Sequence, residues 1–254
     1  MYAIGIDIGS SCAKTAVTGG NGTVLWLDQM PTGWSSLEAA EEIRRRLLAA
    51  GYDPEEAPCV ATGYGRVVVP YAKKAVTEIT CHAKGAQKLF GLSDLDVIDI
   101  GGQDTKVICV RGGSVRDFLM NDKCSAGTGR FLEVMANTLG MDSPSLIELS
   151  GRGGNTSISS MCTVFAESEV ISLIGKGERK ENIAYAVVRS IAKKIASQVS
   201  RLNADGARTV LTGGLCEADE LRRALGEELG KDIESCKEAR YAGAIGAALL
   251  AEKL

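Results

Sequence analysis

Apolar positions recur along this chain with two periods. The N-terminal stretch, residues 1–11, reads as a strand running into a glycine turn, and short apolar runs near 15–17, 23–30, 59–62, 97–100, 105–110, 114–120 and 210–212 have the length of strands. Between them the spacing becomes helical. Residues 35–50 place Leu37, Ala40, Ile43, Leu47 and Leu48 at helical intervals, and 80–90 looks helical and stops at Gly91, a residue that closes helices in the left-handed conformation. Further helices are predicted over 129–139, where Phe131, Leu132 and Met135 are apolar, and over 164–174, 180–202 and 239–252. Strands followed by helices in this order predict an α/β protein with mixed sheets.

One unit of the pattern occurs twice. Residues 6–14 read IDIGSSCAK and residues 98–106 read IDIGGQDTK. Each is an apolar strand ending in Asp-Ile-Gly, then a polar turn, then a lysine opening a second apolar run. A unit recurring once, 92 residues on, implies two duplicated lobes and not a solenoid. The expected division is a first lobe over 1–92 and a second over 93–238, with the closing helix of 239–254 packing back on the first.

Composition narrows the partners. The 254 residues are 45% hydrophobic and 24% charged with a net charge of −3, so neither nucleic acid nor an anionic membrane is indicated as the main partner. No apolar run approaches the roughly 20 residues of a membrane span, and the N-terminus does not read as a signal peptide. The expected location is the cytoplasm. Eight cysteines are many for such a chain, yet no CxxC pair occurs, which argues against a disulfide framework. Cys59 and Cys109 lie in apolar strands and Cys81 at a helix start, as small buried hydrophobes do. Cys124 and Cys162 differ: each sits in a glycine- or serine-rich turn just before a helical run.

A carboxylate at a strand end followed by glycine and small hydroxyl residues suits a nucleotide–Mg²⁺ site. Glycine lets backbone amides approach phosphate oxygens, and the aspartate holds Mg²⁺ through waters. A tight β-turn explains one such copy equally well; two copies are stronger, and VLTGGL at 210–215 adds a strand running into a Gly-Gly turn against which an adenosine could lie. Residues 121–136, NDKCSAGTGRFLEVMA, bring Cys124 to the start of a helix, where a thiolate or an anionic cofactor would meet the positive end of the helix dipole.

These segments carry a resemblance. Asp7-Ile8-Gly9-Ser10, Asp99-Ile100-Gly101-Gly102 and Thr212-Gly213-Gly214 resemble the phosphate-1, phosphate-2 and adenosine motifs of the acetate kinase/sugar kinase/Hsp70/actin superfamily. With DIGGQDTKVI, NDKCSAGTGRFLEVMA and CTVFAESEVISL, essentially the whole chain resembles the ATP-dependent activators (component A) of 2-hydroxyacyl-CoA dehydratases and their benzoyl-CoA reductase relatives, the BadF/BadG/BcrA/BcrD type. The resemblance implies two duplicated ribonuclease H-like lobes with a nucleotide cleft between them. It implies a homodimer holding one 4Fe-4S cluster, with Cys124 and Cys162 of each chain as ligands, because two thiolates per chain cannot complete such a cluster and two chains can. It further implies that ATP turnover, with Mg²⁺, drives low-potential one-electron transfer to a partner iron–sulfur enzyme, with ferredoxin or flavodoxin as the donor.

Carried over residue by residue, the first phosphate turn comprises Asp7, Gly9, Ser10, Ser11, Cys12 (a small filler) and Lys14; the second comprises Asp99, Gly101, Gly102 and Gln103. Gln103, Asp104 and Asp7 are the candidate catalytic groups: Gln103 to orient water, Asp104 to accept a proton or help place Mg²⁺. Ser125, Gly127, Thr128, Gly129 and Glu133 are assigned to the nucleotide side of the cysteine segment, and Gly213, Gly214 and Leu215 to adenosine. For several side chains two readings stand open. Lys14 and Lys106 either neutralise phosphate or are solvated; Arg130 and Glu133 either reach the ribose or lobe interface or are surface charges. Glu167 and Glu169, read as lying in the first turn after Cys162–Thr163, are expected to cap the helix or make lobe contacts, and His82, near Glu78, to make a structural hydrogen bond. A small-molecule kinase of the same superfold is the alternative function, and a nucleotide-switched binding protein a third. The kinase reading leaves Cys124 without a role.

Overall fold

The computed structural model describes residues 2–202 and 208–254. Met1, counted in the first predicted strand, lies outside the described residues. In chain order the elements are β1 (Tyr2–Ile8), β2 (Cys12–Gly19), β3 (Thr23–Pro31), α1 (Ser36–Ala49), β4 (Cys59–Gly63), β5 (Lys74–Ala75), α2 (Glu78–Phe90), β6 (Leu95–Ile100), β7 (Thr105–Arg111), β8 (Ser114–Asn121), α3 (Gly129–Thr138), α4 (Ser143–Ser150), α5 (Thr163–Gly175), α6 (Lys180–Arg201), β9 (Arg208–Gly213), α7 (Asp219–Leu229), β10 (Ile233–Glu234) and α8 (Ala242–Ala251). Two five-stranded sheets result, ordered β3-β2-β1-β4-β5 and β10-β9-β6-β7-β8. Chain contacts divide the molecule into one unit of Met1–Val97, Ile108–Phe118 and Glu238–Leu254 and a second of Ile98–Val107 and Leu119–Lys237.

In the first unit β1 is the central strand, antiparallel to β2 and parallel to β4. Its period of two separates its side chains cleanly. Ile4, Ile6 and Ile8 face one way, into a core shared with Ala40, Ile43 and Leu47 of α1. Ala3 and Ala16 belong to the other face, packed with Ala244, Ala247, Ala248 and Ala251 of α8 and with Cys81 of α2. Asp7 shares that second face, so a carboxylate is carried into the region beneath α2 and α8. Helix α1 starts where Ser35 accepts a hydrogen bond from the Glu38 amide, and α2 stops at Gly91 with φ +65°.

The second unit is built around α6, whose Ile183, Val187, Ile191 and Ile195 are all buried. Strand β6 is buried along its whole length. Four elements went unpredicted. Helix α4 has only eight residues, with Pro144 in its first turn and Asp142 capping it through the Ser145 amide; α7 hides Leu221, Ala224 and Leu225 among charges. Strands β5 and β10 have two residues each, too short to show a period. Two further details correct the expected pattern. Leu37 and Leu48 are 54% and 44% exposed because the buried stripe of α1 is Ala39, Ala40, Ile43 and Leu47, and the closing helix begins at Ala242 after a tight 3₁₀ turn over Lys237–Tyr241.

Candidate functional site

The first Asp-Ile-Gly turn closes through the Gly9 amide, which donates to the Cys12 carbonyl at 3.2 Å, leaving Ser10 and Ser11 exposed at its tip. Thr32 braces it, its hydroxyl donating to the Gly9 carbonyl at 2.7 Å and its amide to the Ser11 carbonyl at 3.1 Å. Cys12 is half-buried, with its thiol 3.1 Å from the Met30 carbonyl. Asp7 lies opposite Lys14 across β1 and β2 and opposite Thr62 on β4. It is 5% exposed, and its Oδ2 lies 3.6 Å from Nε2 of His82. Tertiary packing therefore brings His82 to Asp7. Lys14 is half-buried and forms no salt bridge among the described residues.

The second turn has the same backbone closure, the Gly101 amide donating to the Asp104 carbonyl at 2.9 Å, but different side-chain company. Lys106 is 3% exposed, and its ammonium lies 3.3 Å from Oδ2 of Asp99 and 2.7 Å from Oδ2 of Asp104. The reading of Lys106 as a solvated lysine is thus overturned: it is buried near the start of β7, and two carboxylates compensate its charge. The other oxygen of Asp99 accepts the Thr212 hydroxyl at 2.7 Å. Asp99 is thereby occupied on both oxygens, whereas Asp104 keeps 20% of its side chain exposed and Gln103 stands exposed at the tip. Gly213, at φ +88°, folds over the end of β6, where a Cβ would lie 2.4 Å from the Ile100 carbonyl oxygen; the Gly214 amide donates to that oxygen at 3.1 Å. Gly214 is exposed and Leu215 half-buried beyond it. Asp99, residues 101–104, Lys106 and residues 212–214 are therefore neighbours in the second unit.

The cysteine segment is tied to this turn. The amides of Gly129 and Arg130 donate to the carbonyls of Gly101 and Gly102 at 3.0 and 2.7 Å, and the Phe131 amide to Thr128. The first amides of α3 are thus engaged by protein carbonyls. Gly127 and Thr128 are buried, and the Gly127 carbonyl accepts the Thr105 hydroxyl at 2.5 Å. Arg130 and Glu133 pair with each other at 2.8 Å on the surface. Asn121 is the residue that sequence reasoning passed over. Its side-chain amide donates to the Cys124 and Ala126 carbonyls at 2.9 and 3.0 Å, and its oxygen accepts the Cys124 amide at 3.2 Å, so it shapes the cysteine turn on three sides. An Asn three residues before a turn cysteine was the available signal.

Cys124 and Cys162 are both exposed. The residues that follow them, Ser125 and Thr163, share a hydrogen bond of 2.8 Å, which fixes the two cysteine loops side by side. Glu169 lies in the second turn of α5 and reaches back to cap the Cys162 loop, accepting the Ser159 and Ser160 amides at 2.8 Å each and the Ser159 hydroxyl at 2.9 Å. Partial burial raises its pKa, but these three donors together outweigh that and hold the carboxyl below its ordinary value. Glu167 accepts from Thr138 on α3. By contrast, burial pushes the thiols of Cys59 and Cys81 up to about 12 and that of Cys109 to about 11, so these three are inert fillers.

A family model for the BadF/BadG/BcrA/BcrD ATPase family matches residues 4–251. The chain belongs to that family. It is 41% identical over 256 residues to the (R)-2-hydroxyglutaryl-CoA dehydratase activating ATPase of Acidaminococcus fermentans, covering 100% of this chain and 98% of that protein. The crystal structure of component A of the same dehydratase superposes with a TM-score of 0.93 over 100% of this chain and 98% of the other. An activator of 2-hydroxyisocaproyl-CoA dehydratase from Clostridium difficile, solved with bound ADPNP, follows at 36% identity and a TM-score of 0.92, over 100% and 95%. More distant structures, the ethanolamine utilization protein EutJ of Carboxydothermus hydrogenoformans and a ROK family glucokinase of Streptomyces griseus, share the fold at TM-scores of 0.66 and 0.62. The fold of this family member is thus the actin/Hsp70/sugar kinase type.

Proposed function

We propose that this chain is an ATP-dependent reductive activator, a homodimeric cytoplasmic ATPase that couples nucleotide hydrolysis to low-potential one-electron transfer. Its partner would be an iron–sulfur enzyme of the 2-hydroxyacyl-CoA dehydratase, benzoyl-CoA reductase or double-cubane-cluster class, and its electron donor a ferredoxin or flavodoxin. The observation that carries the reading is the pair of exposed thiols, Cys124 and Cys162, held on loops joined through Ser125 and Thr163. Among the described residues no three His, Cys, Asp or Glu side chains gather as a metal site. Two thiols fit half the ligand set of a 4Fe-4S cluster, and a second copy supplies the other half. When bound, such a cluster supplies a one-electron carrier. Met161, Val164, Phe165, Ile171 and Ile174 are exposed on and beside α5 next to Cys162, an apolar surface that suits burial against that second copy.

On the nucleotide side, the Gly9–Cys12 turn of the first unit offers its exposed tip to phosphate, and Asp7 and Asp104 offer carboxylate oxygens for water-mediated Mg²⁺ binding. Gln103, exposed beside Asp104, would orient the attacking water. Asp99 contributes by holding Lys106 and Thr212 in place. Because Gly101 and Gly102 carry the first amides of α3, a shift of the second turn on loss of the γ-phosphate would reach Cys124 through a short chain of hydrogen bonds. Protein purified without oxygen is expected to be brown and to hold about four iron atoms per dimer, with an electron paramagnetic resonance spectrum that changes on adding ATP. Cys124→Ala should remove the iron and the colour while leaving ATP binding intact. A wild-type protein that takes up no iron after anaerobic reconstitution would overturn the reading.

A further inference from the structure

In the first unit α2 and α8 approach with backbone against backbone. A Cβ on Gly85 would lie 1.8 Å from the Ala242 carbonyl oxygen, and one on Gly246 would lie 1.8 Å from that of Cys81. This approach carries His82, the residue after Cys81, to the end of β1, where its Nε2 faces Oδ2 of Asp7 at 3.6 Å with both side chains 7% exposed. The first turn of α8 closes the same space: a Cβ on Gly243 would lie 2.4 Å from that carboxylate oxygen and 2.8 Å from the imidazole nitrogen. On the opposite side a Cβ on Gly63 would lie 2.4 Å from Oδ1. Asp7 is therefore held among an imidazole and two glycine backbones. A distance of 3.6 Å is longer than a direct hydrogen bond, yet it sets the ring nitrogen against the carboxylate in a buried place.

We propose that His82 is a positioning residue for nucleotide hydrolysis: it fixes the orientation of the Asp7 carboxylate, with Gly243 and Gly63 as the walls that leave that orientation no alternative. This rests on the reading of Asp7 as a Mg²⁺–nucleotide residue. Outer-shell partners of this kind change metal affinity or activity by about ten- to a hundredfold when removed.

The test uses the full-length protein and four variants, Asp7→Asn, His82→Ala, His82→Gln and Gly243→Ala. Phosphate release gives kcat and KM for ATP, a fluorescent ATP analogue titrated with Mg²⁺ gives the half-saturating metal concentration, and thermal unfolding reports the fold. His82→Ala is expected to lower kcat and raise the Mg²⁺ requirement, each by about tenfold or more, with KM for ATP little changed. His82→Gln retains a side-chain N–H and should recover most of both losses. Gly243→Ala sets a methyl against both the carboxylate and the imidazole, so it should raise the Mg²⁺ requirement as well. If Asp7→Asn hydrolyses ATP like the wild type, the reading of Asp7 fails. If Asp7→Asn is impaired while His82→Ala and Gly243→Ala match the wild type, the positioning role is overturned. It is overturned too if His82→Gln is as poor as His82→Ala and both lose thermal stability equally, since that is the signature of a packing role.

Discussion

The two Asp-Ile-Gly turns share a sequence pattern, a backbone closure and a lysine seven residues after the aspartate, yet their carboxylates live in different company. In the second, Asp99 is saturated by Lys106 and Thr212. In the first, the lysine at the same offset, Lys14, stays half-buried without a salt bridge among the described residues, and the side chain that faces the carboxylate is His82 from a helix. Duplication preserved the turn and not its electrostatics. The lesson is that a repeated motif does not imply a repeated role. Asp99 is built as an anchor that ties β6 to β7 and β9 through Lys106 and Thr212, whereas Asp7 faces a histidine brought in from α2.

The largest expected test of this contrast is a matched pair of substitutions. Lys106→Met leaves Asp99 and Asp104 without their buried cation and should cost about 3–5 kcal/mol, whereas Lys14→Met should cost less than about 1 kcal/mol. Urea unfolding of both variants checks this, and equal losses would break the comparison. A smaller effect is expected from Thr212→Val, which removes the hydroxyl donor to Asp99 and should cost about 1–3 kcal/mol. The same measurement would show whether Asp99 is a structural anchor, for an anchor loses stability before it loses nucleotide.

The smallest effect concerns the cysteine loops, of which the Cys124 loop is joined to the second turn through Gly129 and Arg130. Glu169 has a folded pKa below its ordinary 4.5. Its caps on Ser159 and Ser160 are therefore fully present above that ordinary value and are lost as pH falls through the lowered one. Amide chemical shifts of Ser159 and Ser160 should follow this titration below about pH 4.5, and in Glu169→Gln they should not move with pH. Titration persisting in that variant would assign it to another group.

Much of the fold could be read from the chain because its signals are local. Strand length, the repeated Asp-Ile-Gly and the glycine stop at Gly91 all act within a few residues of themselves. The candidate site was legible for the same reason: the turns at 9–12 and 101–104 and the two turn cysteines are short motifs. What escaped was either too short or too distant. Helix α4, with eight residues and a proline in its first turn, offers too few periods to be seen. Asn121 shows its purpose only once the chain has turned back on it.

By itself, then, the sequence determined the α/β class, the duplication, the position of both Asp-Ile-Gly turns and the singular placement of Cys124 and Cys162. Only the tertiary structure decided that Lys106 is a buried counterion and not a solvated one, that Asp99 is spent on Thr212, and that His82 belongs to Asp7. Periodicity and turn chemistry are written in neighbouring residues, whereas burial and charge pairing depend on which surfaces meet. A lysine or histidine carries no mark of what will be folded over it.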